Sequence, residues 1–194
     1  MRERIANLTS NVLNPFAVSV AAILLLAFES TPTAADALKW AGITAGVSVL
    51  PVLLTVIYQA RTGRMSGILT ATRQQRTGIY VLSIACLAVG YTVLHYLQAP
   101  LMLPAAFVGG LCGVVIFSVV NLRWKVSLHT GFVSALAVML VLLHGAIAAV
   151  AVAPVLLMGW SRAHLGQHSV AEVVAGGLLG AMTVVAVFEV FGLP

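Results

Sequence analysis

The stretch SRAHLGQHSVAEVVAGGLLGAMTVVAVFEVF, Ser161–Phe191, runs from a polar segment straight into a long apolar one. From Ser169 to Phe191 it carries only two acids, Glu172 and Glu189, and is long enough for a membrane-crossing helix, which needs about 20 predominantly apolar residues. Runs of the same kind lie upstream at Val12–Phe28, Ala37–Gln59, Gly78–Leu97, Leu101–Val120, His129–His144 and Ala146–Trp160, giving seven candidate spans. The fifth and sixth are short and separated only by Gly145, so one tightly bent hairpin describes them as well as two full spans. Pro51, Pro104 and Pro154 predict kinks in the second, fourth and sixth.

Composition sets the solvent. Of 194 residues, 61% are hydrophobic and 8% charged, against roughly a quarter charged in a soluble domain. So few charges cannot cover a water-facing surface, which excludes a soluble enzyme. The expectation is an all-α fold, a polytopic transmembrane helical bundle of six to seven spans that fills 1–194 as a single domain. The first run also has the outline of a secretory leader, with Arg2 and Arg4, an apolar stretch, then small residues to Ala35. It is read as a retained span. Cys86 and Cys112 belong to no metal-binding or redox motif and read as packing residues. Gly176 and Gly180, like Gly109 and Gly113, have the spacing that lets membrane helices approach closely.

Seven alternating spans put Arg2, Arg4, Arg61, Arg64, Arg73, Arg76, Arg123, Lys125 and Arg162 on one side of the membrane and only Lys39 on the other. The positive-inside rule makes the crowded side cytoplasmic, in the cell membrane. The net charge of +5 then describes a basic membrane face suited to anionic lipid or phosphate. It is not a nucleic-acid surface, for no nucleic-acid-binding motif accompanies it.

The groups able to do chemistry lie in three loops on that side. One holds Ser161, Arg162, His164, His168 and Glu172; another, NLRWKVSLHT, holds Asn121, Arg123, Lys125, Ser127 and His129; the third holds Arg61, Arg64, Arg73 and Arg76. His168 and Glu172 are one helical turn apart, so the carboxylate can reach one ring nitrogen and leave the other for use as a base or nucleophile. Arg162 precedes them in the same loop and His129 opens another helix. Helix N-termini present N–H groups and a positive dipole end that suit phosphate oxygens.

Ser161, Arg162, His168 and Glu172 resemble the SRxxxxxHxxxD motif of the type 2 phosphatidic acid phosphatase (PAP2) superfamily, with glutamate in place of aspartate. Val126–His129 is similar to its PSGH motif, keeping Ser127 and His129. The first family motif, KxxxxxxRP, is altered: Leu69 stands at the lysine position before Arg76, and Thr77 replaces proline. Arg73 and Arg76 are the nearest substitutes, with Arg61 or Arg64 as sources of the missing cation. The resemblance covers 61–180 and follows the family's order, two spans separating each motif from the next. Relative to the usual six-span plan, there is one extra span at the N-terminus.

The resemblance implies a lipid phosphatase acting on a lipid phosphate, either a phosphatidate-type monoester or an isoprenoid diphosphate. His168 would attack phosphorus to form a phosphohistidine, Glu172 would orient it and His129 would protonate the leaving oxygen. Arg162, Ser161, Ser127 and Arg76, with Arg73 or Lys125, would hold the phosphate. Glu3 and Glu172 are the only acids on this face, too few for a two-metal site, so the expected mechanism uses no metal and no cofactor. The competing expectation is a non-catalytic bundle that binds or transports an anionic headgroup or phosphate. The partners expected are the lipid substrate, membrane lipids and, compatibly, a second copy in a homo-oligomer. His95 and His144 fall on the opposite side and read as interfacial residues, and Trp40, Trp124, Trp160 and Tyr58 as an aromatic belt.

Overall fold

The computed structural model describes the backbone of residues 1–64 and 73–194, with side chains for all of these except 73–76, 147 and 148. Among the described residues there are eight α-helices and no strand. They are α1 (Arg2–Val12), α2 (Pro15–Ser30), α3 (Ala34–Arg61), α4 (Arg73–Tyr96), α5 (Met102–Asn121), α6 (Leu128–His144), α7 (Val152–His164) and α8 (Val170–Phe191), with a 3-10 stretch, Gly145–Ala151, leading into α7. The all-helical bundle follows the composition.

Four helical segments are long and apolar enough to cross a membrane: α3, Thr77–Tyr96 of α4, α5 and α8. The α1–α2 pair, bent by 48°, makes a fifth if it is one span. Between 17% and 28% of each of the four apolar windows is buried within the protein. The remainder is apolar surface that water would not tolerate and lipid would.

The difference from six to seven spans has a local cause. α6 has 17 residues and α7 has 13, about 26 Å and 20 Å at 1.5 Å per residue, short of a hydrocarbon core of roughly 30 Å. The run Ala146–Trp160 is not one helix, because its first half is drawn into the 3-10 stretch after Gly145, whose φ is 68°. The expected proline kinks also need correction. Pro104 and Pro154 fall in the first turns of α5 and α7, where backbone N–H groups have no partner within the helix and proline removes nothing. Among the described helices only Pro51 is interior.

The segment before Val12 is helical. It ends where Asn14 starts the next helix: its Oδ1 accepts from the amides of Phe16 and Ala17, each at 3.0 Å, and Pro15 supplies a preset φ at the first helical position.

The chain forms two compact units. In the unit Ser19–Ser118, α3 packs on α4, and Gly90 of α4 lies so close to the Phe107 ring of α5 that a methyl there would overlap it. In the unit Met1–Val18 with Val119–Pro194, α6 and α8 make the most extensive helix pair, α7 packs on both, and α1 lies along α7. Val18, Val133 and Met158 are its small apolar core, flanked by Leu13, Phe132, Leu136 and Val155. α6 and α8 meet backbone to backbone. A methyl on Gly176 would overlap the Ser127 carbonyl and one on Gly180 the Gly131 carbonyl, so only glycine fits at either position.

Candidate functional site

Within this second unit, a tight turn brings the end of α7 to the start of α8. Gly166 takes a φ of 64°, open to glycine without strain, and the chain folds back so that the Arg162 carbonyl accepts from the amides of Gln167 (3.2 Å) and His168 (3.3 Å). Residues six apart in sequence are thereby pinned backbone to backbone. Ser169 then opens α8 with a capping box: its hydroxyl accepts from the Glu172 amide at 3.3 Å, and the Glu172 carboxylate accepts from the Ser169 amide at 3.0 Å.

The same carboxylate oxygen lies 3.2 Å from His168 Nδ1, and the Lys125 carbonyl lies 3.1 Å from that nitrogen. Both neighbours are acceptors, so Nδ1 carries a proton, and in the neutral ring the lone pair sits on Nε2. The His168 side chain is 1% exposed and that of Glu172 18%. Lys125 closes the clasp from the other direction, its Nζ donating to the Gln167 carbonyl at 3.3 Å.

The 125–130 segment docks on the start of α8. The Ser127 amide donates to the Glu172 carbonyl at 3.1 Å, and Thr130 Oγ1 sits 3.0 Å from the Ser127 carbonyl and 3.1 Å from that of Val173. Ser127 is the N-cap of α6, its hydroxyl accepting from the Thr130 amide at 3.4 Å. His129, in the first turn of α6, is buried. Its helix is the one that Gly176 and Gly180 hold against α8.

Arg162 is the largest fully buried side chain among the described residues, 2% exposed. Its Nη1 donates to Ser10 Oγ of α1 at 2.8 Å, and Ser161 Oγ donates to the Ala6 carbonyl of the same helix at 2.6 Å. Ser161 therefore directs its single O–H into α1, a role that its place in the motif does not announce. Ser127 likewise serves the helix start. The Ser161 O–H is thus taken by the scaffold, whereas the Ser127 hydroxyl only accepts.

The structure thus gathers Lys125, Ser127, His129, Ser161, Arg162, His168 and Glu172 in one unit. Arg61 and Arg64 belong to the other; both are exposed, and Arg64 stands 5.8 Å over the Tyr58 ring. The side chains of Arg73 and Arg76 lie outside the described residues. His164 is exposed and stacks on Trp160 with ring centroids 5.2 Å apart. Among the described residues no group of three or more His, Cys, Asp or Glu is arranged to hold a metal ion.

Sequence reasoning missed Ala6, Ser10 and Thr130. The signal for the first two was present: Ala6, Thr9 and Ser10 are small residues at helical spacing, and all three are buried. Chemically, an imidazole with its proton fixed on Nδ1 is a nucleophile or base at Nε2, and a buried guanidinium is the natural counter-charge for an oxyanion. Comparison with family models, curated proteins and solved structures gave no match to this chain.

Proposed function

We propose that this chain is an integral-membrane lipid phosphatase, a divergent member of the type 2 phosphatidic acid phosphatase superfamily. Its substrate is the phosphomonoester or terminal diphosphate of a lipid, of phosphatidate or isoprenoid type. The observation that carries the reading is the His168 ring, buried, with Nδ1 held between Glu172 and the Lys125 carbonyl in the tautomer a nucleophilic Nε2 requires.

In this reading Nε2 attacks phosphorus in line, the bond from phosphorus to the leaving oxygen breaks, and His129 supplies the proton that oxygen needs. Water then attacks the phosphohistidine, giving its proton to His129; the P–N bond breaks, phosphate leaves and His168 is restored. Arg162 balances charge on the equatorial oxygens, which with positioning is most of what phosphoryl transfer demands. Arg73 and Arg76 enter through the sequence resemblance alone. The six-to-seven-span bundle, with α6 and the Gly145–His164 segment counted as short spans and the site facing the cytoplasm, belongs to the same proposal and rests on the distribution of cations.

The test is phosphate release by the purified protein in the presence of chelator from phosphatidate, phosphatidylglycerophosphate, and farnesyl and undecaprenyl diphosphates. Activity that vanishes in His168→Ala and is inhibited by vanadate supports the reading. Unchanged activity in His168→Ala removes the nucleophile. Phosphate or headgroup binding with no turnover of any substrate would favour a bundle that holds anions without cleaving them.

A further inference from the structure

The catalytic reading uses Arg162 and leaves the helix against it without a task. α1 presents three different arcs. Met1, Ile5, Leu8 and Val12 form an exposed apolar stripe; Arg2, Glu3, Arg4, Asn7 and Asn11 are exposed and polar; Ala6, Thr9 and Ser10 are buried. The buried arc meets α7 at two adjacent residues, through Ser161 to the Ala6 carbonyl and Arg162 to Ser10, so donors from consecutive positions on one helix reach acceptors one turn apart on the other.

The two bonds differ in kind. The Ser161 bond ends on a backbone carbonyl and would survive any substitution at Ala6 that fits. The Arg162 bond ends on a side chain, and a buried guanidinium left without that acceptor either loses a charge-assisted hydrogen bond or turns to find another. A guanidinium is a rigid planar fork, so holding one nitrogen restricts where the others can point. The hydroxyl that accepts from Nη1 also retains its own O–H, a neutral donor beside the positive charge.

We propose that Ser10 is a positioning residue for Arg162, and that α1 is thereby a working wall of the anion site. This rests on reading Arg162 as a phosphate ligand. Ser10 sets the plane of the guanidinium before the anion arrives, so its loss weakens anion binding without touching the His168–Glu172 pair.

The experiment uses the full chain in detergent. Affinity for inorganic vanadate and phosphate, KM and kcat on a lipid phosphate, and Tm without ligand are measured for the native protein, Ser10→Ala, Ser10→Thr and His168→Ala. The expected result is a rise of about fivefold to tenfold in vanadate Kd and in KM for Ser10→Ala, less than the full worth of a hydrogen bond to a charged group because Ser10 acts through Arg162, with recovery to within about twofold in Ser10→Thr, which keeps the acceptor. A lowered Tm with unchanged Kd and KM would make Ser10 a packing residue and overturn the proposal. Should Ser10→Ala fail to fold, Ser10→Cys keeps the size, weakens the acceptor and reads the same affinities. If His168→Ala keeps full turnover while Ser10→Ala still weakens vanadate binding, the nucleophile is wrong and the role of Ser10 stands. If the native protein binds neither anion, the role of Ser10 is rejected together with Arg162 as a ligand.

Discussion

His168 and Glu172 are joined at 3.2 Å through Nδ1 and Oε2, and the same carboxylate oxygen caps the helix on which Glu172 sits. One oxygen therefore fixes both a ring and a helix start. In Glu172→Gln the amide still serves a capping box but no longer carries the charge that favours a protonated Nδ1. Phosphate release should fall by roughly 10²- to 10⁴-fold while Tm in detergent changes little. A fall in Tm matching the fall in rate would show that the carboxylate acts through the fold alone.

His129 is assigned the proton for the leaving oxygen, and a substrate that needs no proton should be indifferent to it. His129→Ala should slow hydrolysis of an alkyl lipid phosphate by about 10²- to 10⁴-fold and that of a nitrophenyl phosphate far less. Steady-state rates on the two substrates check this; equal losses on both would remove the acid role.

Glycine positions divide sharply by what surrounds them. Gly180→Ala forces a methyl into the Gly131 carbonyl and should cost about 1–3 kcal/mol or more. Gly42 and Gly46 in α3 have nothing within 4 Å, so alanine there should stabilise by up to about 1 kcal/mol. Thermal unfolding of the three variants in one detergent decides the contrast, and a tolerant Gly180→Ala would mean that α6 and α8 can part.

Thr130 ties the loop that presents His129 to α8 through its hydroxyl, 3.1 Å from the Val173 carbonyl. Thr130→Val keeps the shape and deletes that bond, for an expected loss of about 1 kcal/mol. Denaturation midpoints read it directly, and the accompanying drop in kcat should exceed the drop seen for a remote variant of equal Tm.

Much of this was legible before the fold was known, and the reasons are local. Apolar runs and scarce charge announce helices in lipid because the hydrocarbon leaves the backbone few other solutions. The pairing of His168 with Glu172 was legible from their spacing, but it is made by the capping box that folds Glu172 back over the helix start, since His168 precedes the N-cap Ser169 and is not on α8. The span count was less legible: the short fifth and sixth runs and Gly145 between them could be seen, but the 3-10 stretch that shortens α7 to 13 residues could not. Prolines 104 and 154 looked like kinks only until the helix starts were known. α1 was hidden for a different reason: its polar and charged residues carry no membrane signature, and the contact between Ser10 and Arg162 spans nearly the whole chain, a pairing that only tertiary structure makes.

Where α6 crosses α8, the carbonyl oxygens of Ser127 and Gly131 occupy the space that any side chain at Gly176 or Gly180 would need. Such a joint has no lateral play: the next register in which these helices could rest is a full turn away, about 5.4 Å. The two imidazole-bearing segments are consequently tied to each other, and under the proposed function any breathing that admits a tail or lets a product depart falls to helices without that interlock.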